Sequence, residues 1–253
     1  MDTDFNKIPL FIRKRDKPQF EFNKAIIDAT SDFVCAYKPN IAFYEAQGPE
    51  GLVSLKNTID YLKSSYKDIP IILDAKRADI GNTNTGYVKY VFDYYGADAV
   101  TLHPYLGGES LKPFLERKEK GIFILCRTSN PGAGEFQDLT FLGKKLFEIV
   151  AQKVSSDWNS SGNCGIVVGA TYPAELDIVR HIVGNMPILI PGIGAQGGDV
   201  EKTVKAGVDN DGGNAIINSS RGIIFASEGD DFALAAQKEA KKLKDEINLY
   251  RKN

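Results

Sequence analysis

Residues 70–83 read PIILDAKRADIGNT, an apolar run that ends in alternating charges. The run is apolar on successive residues, as in a strand of a parallel sheet that is buried on both faces. Asp74 and Lys76 are two residues apart, so a strand directs both side chains to one face. Asp79 follows in the next loop. The stretch therefore predicts a parallel strand that carries charged side chains to its carboxyl end.

Similar apolar runs recur along the chain, separated by roughly 20 to 45 residues, which is the length that a strand and its crossover helix need. We predict strands at 33–37, 70–75, 98–102, 121–126, 164–168, 187–190 and 214–218. Amphipathic segments predict helices at 49–65, 84–95, 138–156, 173–183, 199–206 and 230–250. Strand–helix units that follow one another without a linker predict a single domain over residues 1–253, built as a TIM-type (β/α)8 barrel. An open, doubly wound sheet is the alternative architecture.

The start of the chain departs from this pattern. A (β/α)8 barrel needs a further strand before residue 20, and the sequence offers none there. We expect either a chain that is truncated or starts late, or a barrel of seven strands with an open seam. An open seam leaves backbone groups unpaired, which costs free energy.

Composition excludes several classes of protein. Lys and Arg total 31 against 33 Asp and Glu, so no basic surface points to nucleic acid or to an anionic membrane. The longest apolar stretches are broken well before the roughly 18 residues of a membrane span. Cys35, Cys126 and Cys164 lie in or beside apolar runs, which favours buried, reduced thiols over disulfides or a zinc site. We expect a cytoplasmic enzyme without a metal.

The charges around the 70–75 strand form a candidate catalytic set. Lys38 follows the preceding strand, so that Lys38, Asp74, Lys76 and Asp79 alternate in sign. Flanking carboxylates favour the charged ammonium, so Lys76 is expected to keep its proton until a strongly basic, carbanion-like centre develops. The alternative is a structural salt bridge at a strand end.

Two later segments, PGIGAQGGD at 191–199 and NSSRGI at 218–223, follow the last two predicted strands. In TIM-type barrels the loops at these places often bind phosphate. Glycines such as Gly192 and Gly194 let backbone N–H groups approach an oxyanion, and Arg221 offers a forked donor. Tight turns use the same glycines, so the loop alone is weak evidence. Together with Arg221 it predicts a phosphomonoester ligand.

The loop at 126–139, CRTSNPGAGEFQDL, offers Ser129 as a hydroxyl or amide donor, although the same residues are ordinary in turns. His103 stands at a strand end without an obvious acidic partner, and we interpret it as structural. His181 lies on an amphipathic helix and is expected to be solvated.

The segments quoted above resemble the orotidine 5′-phosphate decarboxylase family, and the resemblance extends through FNKAIIDATSDFVCAYKPNIAFYEAQG at 22–48 and RTSNPG at 127–132. It covers almost the whole chain and is closest to the single-function bacterial or archaeal branch. It implies cofactor-free decarboxylation of orotidine 5′-monophosphate to UMP, the last step of de novo pyrimidine synthesis.

The resemblance also implies roles for individual residues. Lys76 would protonate C6 of the pyrimidine, while Asp74 and Lys38 would hold Lys76 and contact the ribose. Asp79, Ile80 and Thr83 would reach the other subunit's site in a homodimer. The remaining substrate-binding residues would be Asp2 at the ribose, Ser129 at the pyrimidine, Gln196 between base and phosphate, and Arg221, Gly192 and Gly194 at the phosphate.

Two rival functions remain. Sister enzymes such as hexulose-phosphate synthase and keto-gulonate-phosphate decarboxylase share the Asp-x-Lys-x-x-Asp element but use Mg²⁺. An ammonium at Lys38 disfavours a cation beside it. A catalytically inactive, phosphate-binding barrel is the second rival. The intact set of Asp74, Lys76 and Asp79 argues against it.

Overall fold

The computed structural model describes residues 1–194 and 197–251. Its strands are β1 Ile72–Arg77, β2 Ala99–Leu102, β3 Gly121–Arg127, β4 Thr140–Phe141, β5 Lys144–Lys145, β6 Cys164–Val168, β7 Ile188–Pro191 and β8 Ala215–Asn218. Its α-helices are α1 Leu10–Arg13, α2 Pro18–Thr30, α3 Ala42–Glu45, α4 Gly48–Ser65, α5 Gly81–Val88, α6 Gly107–Leu115, α7 Gly134–Gln137, α8 Leu146–Lys153, α9 Pro173–Val183, α10 Val200–Gly207, α11 Arg221–Ile224 and α12 Phe232–Tyr250. None of these described helices is long and apolar enough to cross a membrane.

The chain forms two compact units, each built from discontinuous segments. The first comprises Met1–Ala75, Val91–Asp98 and Ser220–Asp245, and the second comprises Lys76–Tyr90, Ala99–Ser219 and Glu246–Asn253. The division falls within β1. A single domain over residues 1–253 remains a prediction.

The first unit is held by α2 and α4, which bury the inner face of each helix. Pro18 begins α2, where its fixed φ suits the first turn. Phe22 is fully buried and stacks between Phe225 and Phe232, with ring centroids 5.6 and 5.2 Å away. Gly51 on α4 lies so close to the Tyr44 carbonyl that a Cβ there would clash with backbone. A larger residue at position 51 would push α4 away from α3.

Inside this unit a buried polar network replaces part of the apolar core. The Thr3 hydroxyl donates to Asn23 Oδ1 at 2.7 Å. Asn23 Nδ2 donates to the Tyr44 hydroxyl at 2.8 Å and to Thr58 Oγ1 at 3.0 Å. All four side chains are fully buried, and burial raises the pKa of Tyr44 to about 12. Because each group has a partner, the network costs little desolvation energy and fixes the packing of α2 on α4.

The predicted strand at 33–37 is not formed: Phe33 ends a 3-10 helix, and the segment makes a single parallel bridge, from Tyr37 to Ile71. A second bridge, from Asn40 to Asp74, lies just beyond it. Main-chain bonds also join Met1 to this segment: the Met1 ammonium donates to Lys38 O at 2.5 Å, and Asn40 N donates to Met1 O at 3.4 Å. The first residues thus occupy one edge of the segment at 38–40.

The strands of the parallel sheet follow the order β1-β2-β3-β6-β7-β8, and the second unit contains β2, β3, β6, β7 and β8. Strands β2 and β6 are buried at every position, and β3 and β7 at most positions, as predicted for strands covered on both faces. The register is parallel between neighbours, with Ala99 opposite Gly121 and Ile188 opposite Ala215. Six of the predicted strands are therefore confirmed to within about two residues at each end.

The predicted helix at 138–156 is wrong at its start. Residues 140–145 form an antiparallel hairpin, β4 with β5, and α8 begins only at Leu146. Leu142 and Gly143 both have positive φ, 50° and 77°, as the tight two-residue turn of a hairpin requires. The apolar pattern of the segment concealed this turn because only one of its two residues is glycine.

The prediction that all three cysteines are buried is wrong for Cys35, which is exposed, whereas Cys126 and Cys164 are buried free thiols. Cys35 lies in a bend before the first bridge at Tyr37, so no strand neighbour covers it.

Candidate active site

Lys38 and Asp74 form a buried ion pair in the first unit. Lys38 Nζ donates to Asp74 Oδ2 at 2.8 Å, and the side chains are 7% and 8% exposed. Main-chain bonds fix the spacing, because Asp74 N donates to Pro39 O and Ile41 N donates to Asp74 O. A buried charge is tolerated only when a partner neutralises it, so the local fold holds these two groups together.

Asp2 lies in the same unit and is partly buried. Its Oδ1 is buried and accepts no hydrogen bond from the described residues, while the Met1 ammonium lies 3.9 Å away. Burial lowers the pKa of that ammonium to about 6, with Asp2 acting against the shift and Lys38 adding to it. Asp2 thus presents a carboxylate oxygen that a ligand hydroxyl could satisfy.

Lys76, the next-to-last residue of β1, has an unusual backbone conformation. Its φ is +45°, in the left-handed region that a residue with a Cβ rarely adopts, at a cost of about 1 to 3 kcal/mol. Its backbone N–H donates to Thr101 Oγ1 of β2 at 3.0 Å. The side chain of Lys76 is exposed, in contrast to the buried residues before it on the strand. Such strain is concentrated at functional sites, which supports the choice of Lys76 from the sequence.

Asp79, Ile80 and Thr83 lie in the second unit, at the start of α5. Asp79 Oδ1 accepts from the Ile80 backbone N–H at 2.7 Å, and Thr83 N donates to Ile80 O at 3.2 Å. Ile80 is 62% exposed and Thr83 is exposed. The apolar side chain of Ile80 is therefore available to another molecule.

The glycine loop after β7 contains residues with positive φ. Gly192 and Gly194 have φ values of 112° and 81°, which only glycine adopts readily. A Cβ on Gly194 would lie 3.5 Å from Ser219 Oγ, so the loop approaches the residue that follows β8. Gln196 lies outside the described residues. Arg221 is exposed and begins α11 in the first unit.

Ser129 packs directly on the backbone after β6, since a Cβ on Gly169 would lie 2.8 Å from Ser129 Cβ. The neighbouring Thr128 is fixed by Gln137, which accepts from Thr128 N at 2.9 Å and donates to Thr128 Oγ1 at 2.8 Å. Arg127 is buried 4.0 Å from the Tyr172 ring centroid. These contacts give the loop at 126–139 a defined shape rather than an open coil.

The predicted site residues are divided between the two units. Those in the first unit are Asp2, Lys38, Asp74 and Arg221, and those in the second are Lys76, Asp79, Ile80, Thr83, Ser129, Gly192 and Gly194. Thr101 and Asn84, which bond to the main chain of Lys76 and Asp79, were missed from the sequence. In residues 1–194 and 197–251, no three histidine, cysteine, aspartate or glutamate side chains are grouped so that they could hold a metal ion.

A family model described as "Orotidine 5'-phosphate decarboxylase / HUMPS family" matches residues 16–236. The chain belongs to this family. Among curated relatives, orotidine 5′-phosphate decarboxylase of Cellvibrio japonicus is 51% identical over 253 residues, and that of Azoarcus sp. is 49% identical over 251 residues. Each alignment covers 99% of this chain and 92% of the relative.

Solved structures share the fold of this chain. The Leishmania donovani OMP decarboxylase superposes with a TM-score of 0.84 at 38% identity, covering 92% of this chain and 87% of that one. The enzyme of Methanocaldococcus jannaschii, solved with the inhibitor BMP, gives a TM-score of 0.71 at 23% identity and covers 90% and 94% of the two chains. The fold class of this family member is the predicted TIM-type (β/α)8 barrel, to which the six-stranded parallel sheet belongs.

Proposed function

We propose that the chain decarboxylates orotidine 5′-monophosphate to UMP without a cofactor, as the last step of de novo pyrimidine synthesis. One observation carries the proposal. The strand that bears Asp74-x-Lys76-x-x-Asp79 holds Asp74 in a buried pair with Lys38, 2.8 Å apart. Full-length relatives that are orotidine 5′-phosphate decarboxylases support the choice of substrate.

In the proposed reaction the bond between C6 and the carboxylate breaks, carbon dioxide leaves, and the electron pair stays on C6. The Nζ–H of Lys76 supplies the proton that C6 takes up, so that atoms and charge balance. The Lys38–Asp74 pair holds one carboxylate in a fixed place, and fixed charges stabilise a developing charge better than mobile ones. Asp79 lies beside the substrate carboxylate in this proposal.

The remaining contacts bind the parts of the substrate that do not react. Asp2 contacts the ribose, and Ser129 faces the pyrimidine. The phosphate is bound by Arg221, by the backbone of Gly192 and Gly194, and by Gln196, which also contacts the base. Binding energy from a remote phosphate can be used to orient the reacting ring.

We further propose a homodimer in which Asp79, Ile80 and Thr83 reach the partner's site, and a cytoplasmic location, as the family resemblance implies. Exposed apolar side chains in the second unit support the dimer. Ile80, Tyr105 and Leu106 are 62%, 83% and 43% exposed, so a partner subunit could bury them.

The Mg²⁺-dependent sister enzymes of the same family are the main rival. In those enzymes we expect an acidic metal ligand at the position that Lys38 occupies in this chain. The buried ammonium of Lys38 instead occupies Asp74 Oδ2 directly. A divalent cation at that carboxylate would be repelled by Lys38.

The test follows loss of the substrate's absorbance with the purified chain, with EDTA or with added Mg²⁺. Turnover that EDTA leaves unchanged supports the proposal, and turnover that requires Mg²⁺ would favour the sister enzymes. Arg221→Ala should raise KM for the nucleotide strongly, whereas Arg251→Ala, an exposed arginine just after α12, serves as the control. A chain with no turnover under either condition would favour the inactive barrel.

A further inference from the structure

The main chain between Lys76 and Asp79 is held from outside by three side chains. We propose that Thr101, His103 and Asn84 are positioning residues, which together fix the directions in which Lys76 and Asp79 project. The inference rests on the proposed function, because it assigns these residues to the same reaction. All five residues belong to the second compact unit.

Thr101 holds the residue that donates the proton. Its side chain is 1% exposed and points from β2 to the backbone of Lys76, whose N–H donates to Thr101 Oγ1 at 3.0 Å. In a regular parallel ladder a backbone carbonyl would accept that N–H. Because Lys76 has left its extended conformation, with φ of +45°, a side-chain oxygen supplies the acceptor instead. Thr101 thereby stabilises the strained conformation that sets the Cα–Cβ direction of Lys76.

His103 fixes the next part of the loop. Its backbone N–H donates to Arg77 O at 3.1 Å, and its ring Nε2–H donates to Ala78 O at 3.0 Å. A carbonyl can only accept, so this contact requires the proton on Nε2. His103 therefore bonds to the main chain of both residues that separate Lys76 from Asp79. This is a physical role for a histidine for which the sequence offered no obvious acidic partner.

Asn84 fixes Asp79 from the other side. Its side chain is fully buried, and its Oδ1 accepts from Asp79 N at 2.8 Å while its Nδ2 donates to Asp79 O at 2.5 Å. The same Nδ2 also donates to Ser110 O on α6. The amide thus bonds to both main-chain groups of Asp79 and ties them to a neighbouring helix. An apolar residue at position 84 would remove the hydrogen-bond partner of both main-chain groups of Asp79.

Loss of these hydrogen bonds should affect the rate of the reaction more than the binding of the substrate. A side chain follows its Cα–Cβ bond, so displacement of the main chain at 76–79 moves the ammonium and the carboxylate together. A misplacement of about 1 Å in a catalytic group can cost about a hundredfold in rate. The proposed phosphate contacts lie elsewhere in the chain, so loss of these bonds should lower kcat while KM stays nearly constant.

The test compares Thr101→Val, which removes only the hydroxyl, with Thr101→Ser, which restores it. Thr58→Val is the matched control, since Thr58 is another fully buried threonine whose hydroxyl accepts a side-chain bond, from Asn23. For each variant we would measure kcat, KM, the melting temperature and hydrogen exchange at the Lys76 amide. Thr101→Val should lower kcat about tenfold to a hundredfold, with KM within about twofold. It should also speed exchange of the Lys76 amide.

Thr101→Ser should return both kcat and amide exchange to near the parent values. The control should change the melting temperature as Thr101→Val does but leave kcat unchanged. A purely structural role is shown, and the inference overturned, if Thr101→Val keeps kcat within twofold or if the control loses kcat equally. A parent chain without turnover would instead overturn the proposed function, and the amide exchange data would still report whether Thr101 holds Lys76.

Discussion

Lys38 Nζ lies 2.8 Å from Asp74 Oδ2, and both side chains are more than nine-tenths buried. The two residues are 36 positions apart in the chain, so the pair joins the segment at 38–41 to β1. A buried pair of this kind is costly to desolvate, and its formation gives little net stability over apolar residues. The presence of this pair in the core is therefore better explained by a chemical role for Asp74 than by a gain in stability.

Removal of one partner of the Lys38–Asp74 pair should lower the free energy of unfolding much more than removal of both. Lys38→Met removes the ammonium that pairs with the buried Asp74 carboxylate, and we expect a loss of about 3 to 5 kcal/mol in the free energy of unfolding. Lys38→Met combined with Asp74→Leu should recover most of that loss. Urea denaturation of the two single variants and the double variant measures the coupling.

The surface pair Lys153–Asp157, with side chains 57% and 47% exposed, is the matched control. Lys153→Met should cost less than about 1 kcal/mol. If Lys38→Met cost no more than Lys153→Met, the pair would not be buried as described.

Arg180 should stabilise the second unit through its main-chain contacts. Its guanidinium is 7% exposed and donates to four carbonyls, those of Gly184, Met186, Gly207 and Asn214. Burial lowers the pKa of Arg180, with Asp209 acting against the shift. Arg180→Met removes the guanidinium bonds to these carbonyls, of which Asn214 O keeps its bond from Ile188 N, and we expect a loss of about 2 to 4 kcal/mol in the free energy of unfolding.

Arg251→Met is the control for Arg180, because Arg251 is exposed and makes one 3.5 Å bond to Asn248. Unfolding by urea should show a shift for Arg180→Met and almost none for Arg251→Met. Equal midpoints for the two variants would contradict the assignment.

The three thiols should differ in reactivity. Burial raises the pKa of Cys164 to about 11 and raises that of Cys126 further, so neither forms a thiolate at pH 8. Cys35 is exposed. A disulfide reagent should therefore label one thiol per chain quickly in the native protein and three after unfolding. Loss of the fast phase in Cys35→Ser identifies the residue, and two fast thiols in the native chain would disprove the burial of Cys126 or Cys164.

Asp209 should make stability depend on pH in the acid range. The Gly213 backbone N–H, at 2.8 Å, and the Asn214 amide, at 2.6 Å, lower the pKa of the Asp209 carboxyl. A carboxyl with a lowered folded-state pKa contributes stability above the unfolded value of about 4, and the contribution is lost as pH falls through the folded value. Asp209→Ala should therefore melt earlier than the parent at pH 7, and the difference should shrink below pH 4.

Asp211→Ala is the matched control within the same turn, where only the backbone N–H of Asp211 bonds to Asp209. Its melting temperature should differ little from the parent at either pH. A difference for Asp209→Ala that persists unchanged at pH 3 would show that the turn is stabilised by shape and not by the charge.

Several elements were predictable from local signals. Helix α9 runs over 173–183 as predicted, because Pro173 suits its first turn and Gly184, with φ of 58°, ends it. Strand β6 is found at 164–168 because its residues are apolar throughout. Asp74, Lys76 and Asp79 were chosen as catalytic residues because charges at the end of a buried strand are unusual, and their roles stay a prediction.

Other features had no local signal. Thr101 is an ordinary residue within an apolar strand, and Asn84 is a polar residue within a helix. Only the fold reveals that Thr101 bonds to the main chain of Lys76, and Asn84 to that of Ser110, each about 25 positions away. The left-handed conformation of Lys76 is likewise imposed by its surroundings, since lysine does not favour it. Hydrophobic periodicity does not show which tertiary contacts position a side chain. The chemical type of the positioned side chain can be read directly from the sequence.

The most direct test of the account replaces the proposed proton donor. Decarboxylation of orotidine 5′-monophosphate is followed by absorbance, with EDTA present, for the parent, for Lys76→Ala and for Lys89→Ala, an exposed lysine after α5 that serves as the control. We predict that the parent and Lys89→Ala turn over equally. Lys76→Ala should lose about a hundredfold or more in kcat while still binding UMP. Turnover by Lys76→Ala within about tenfold of the parent would contradict the role of Lys76 as the proton donor.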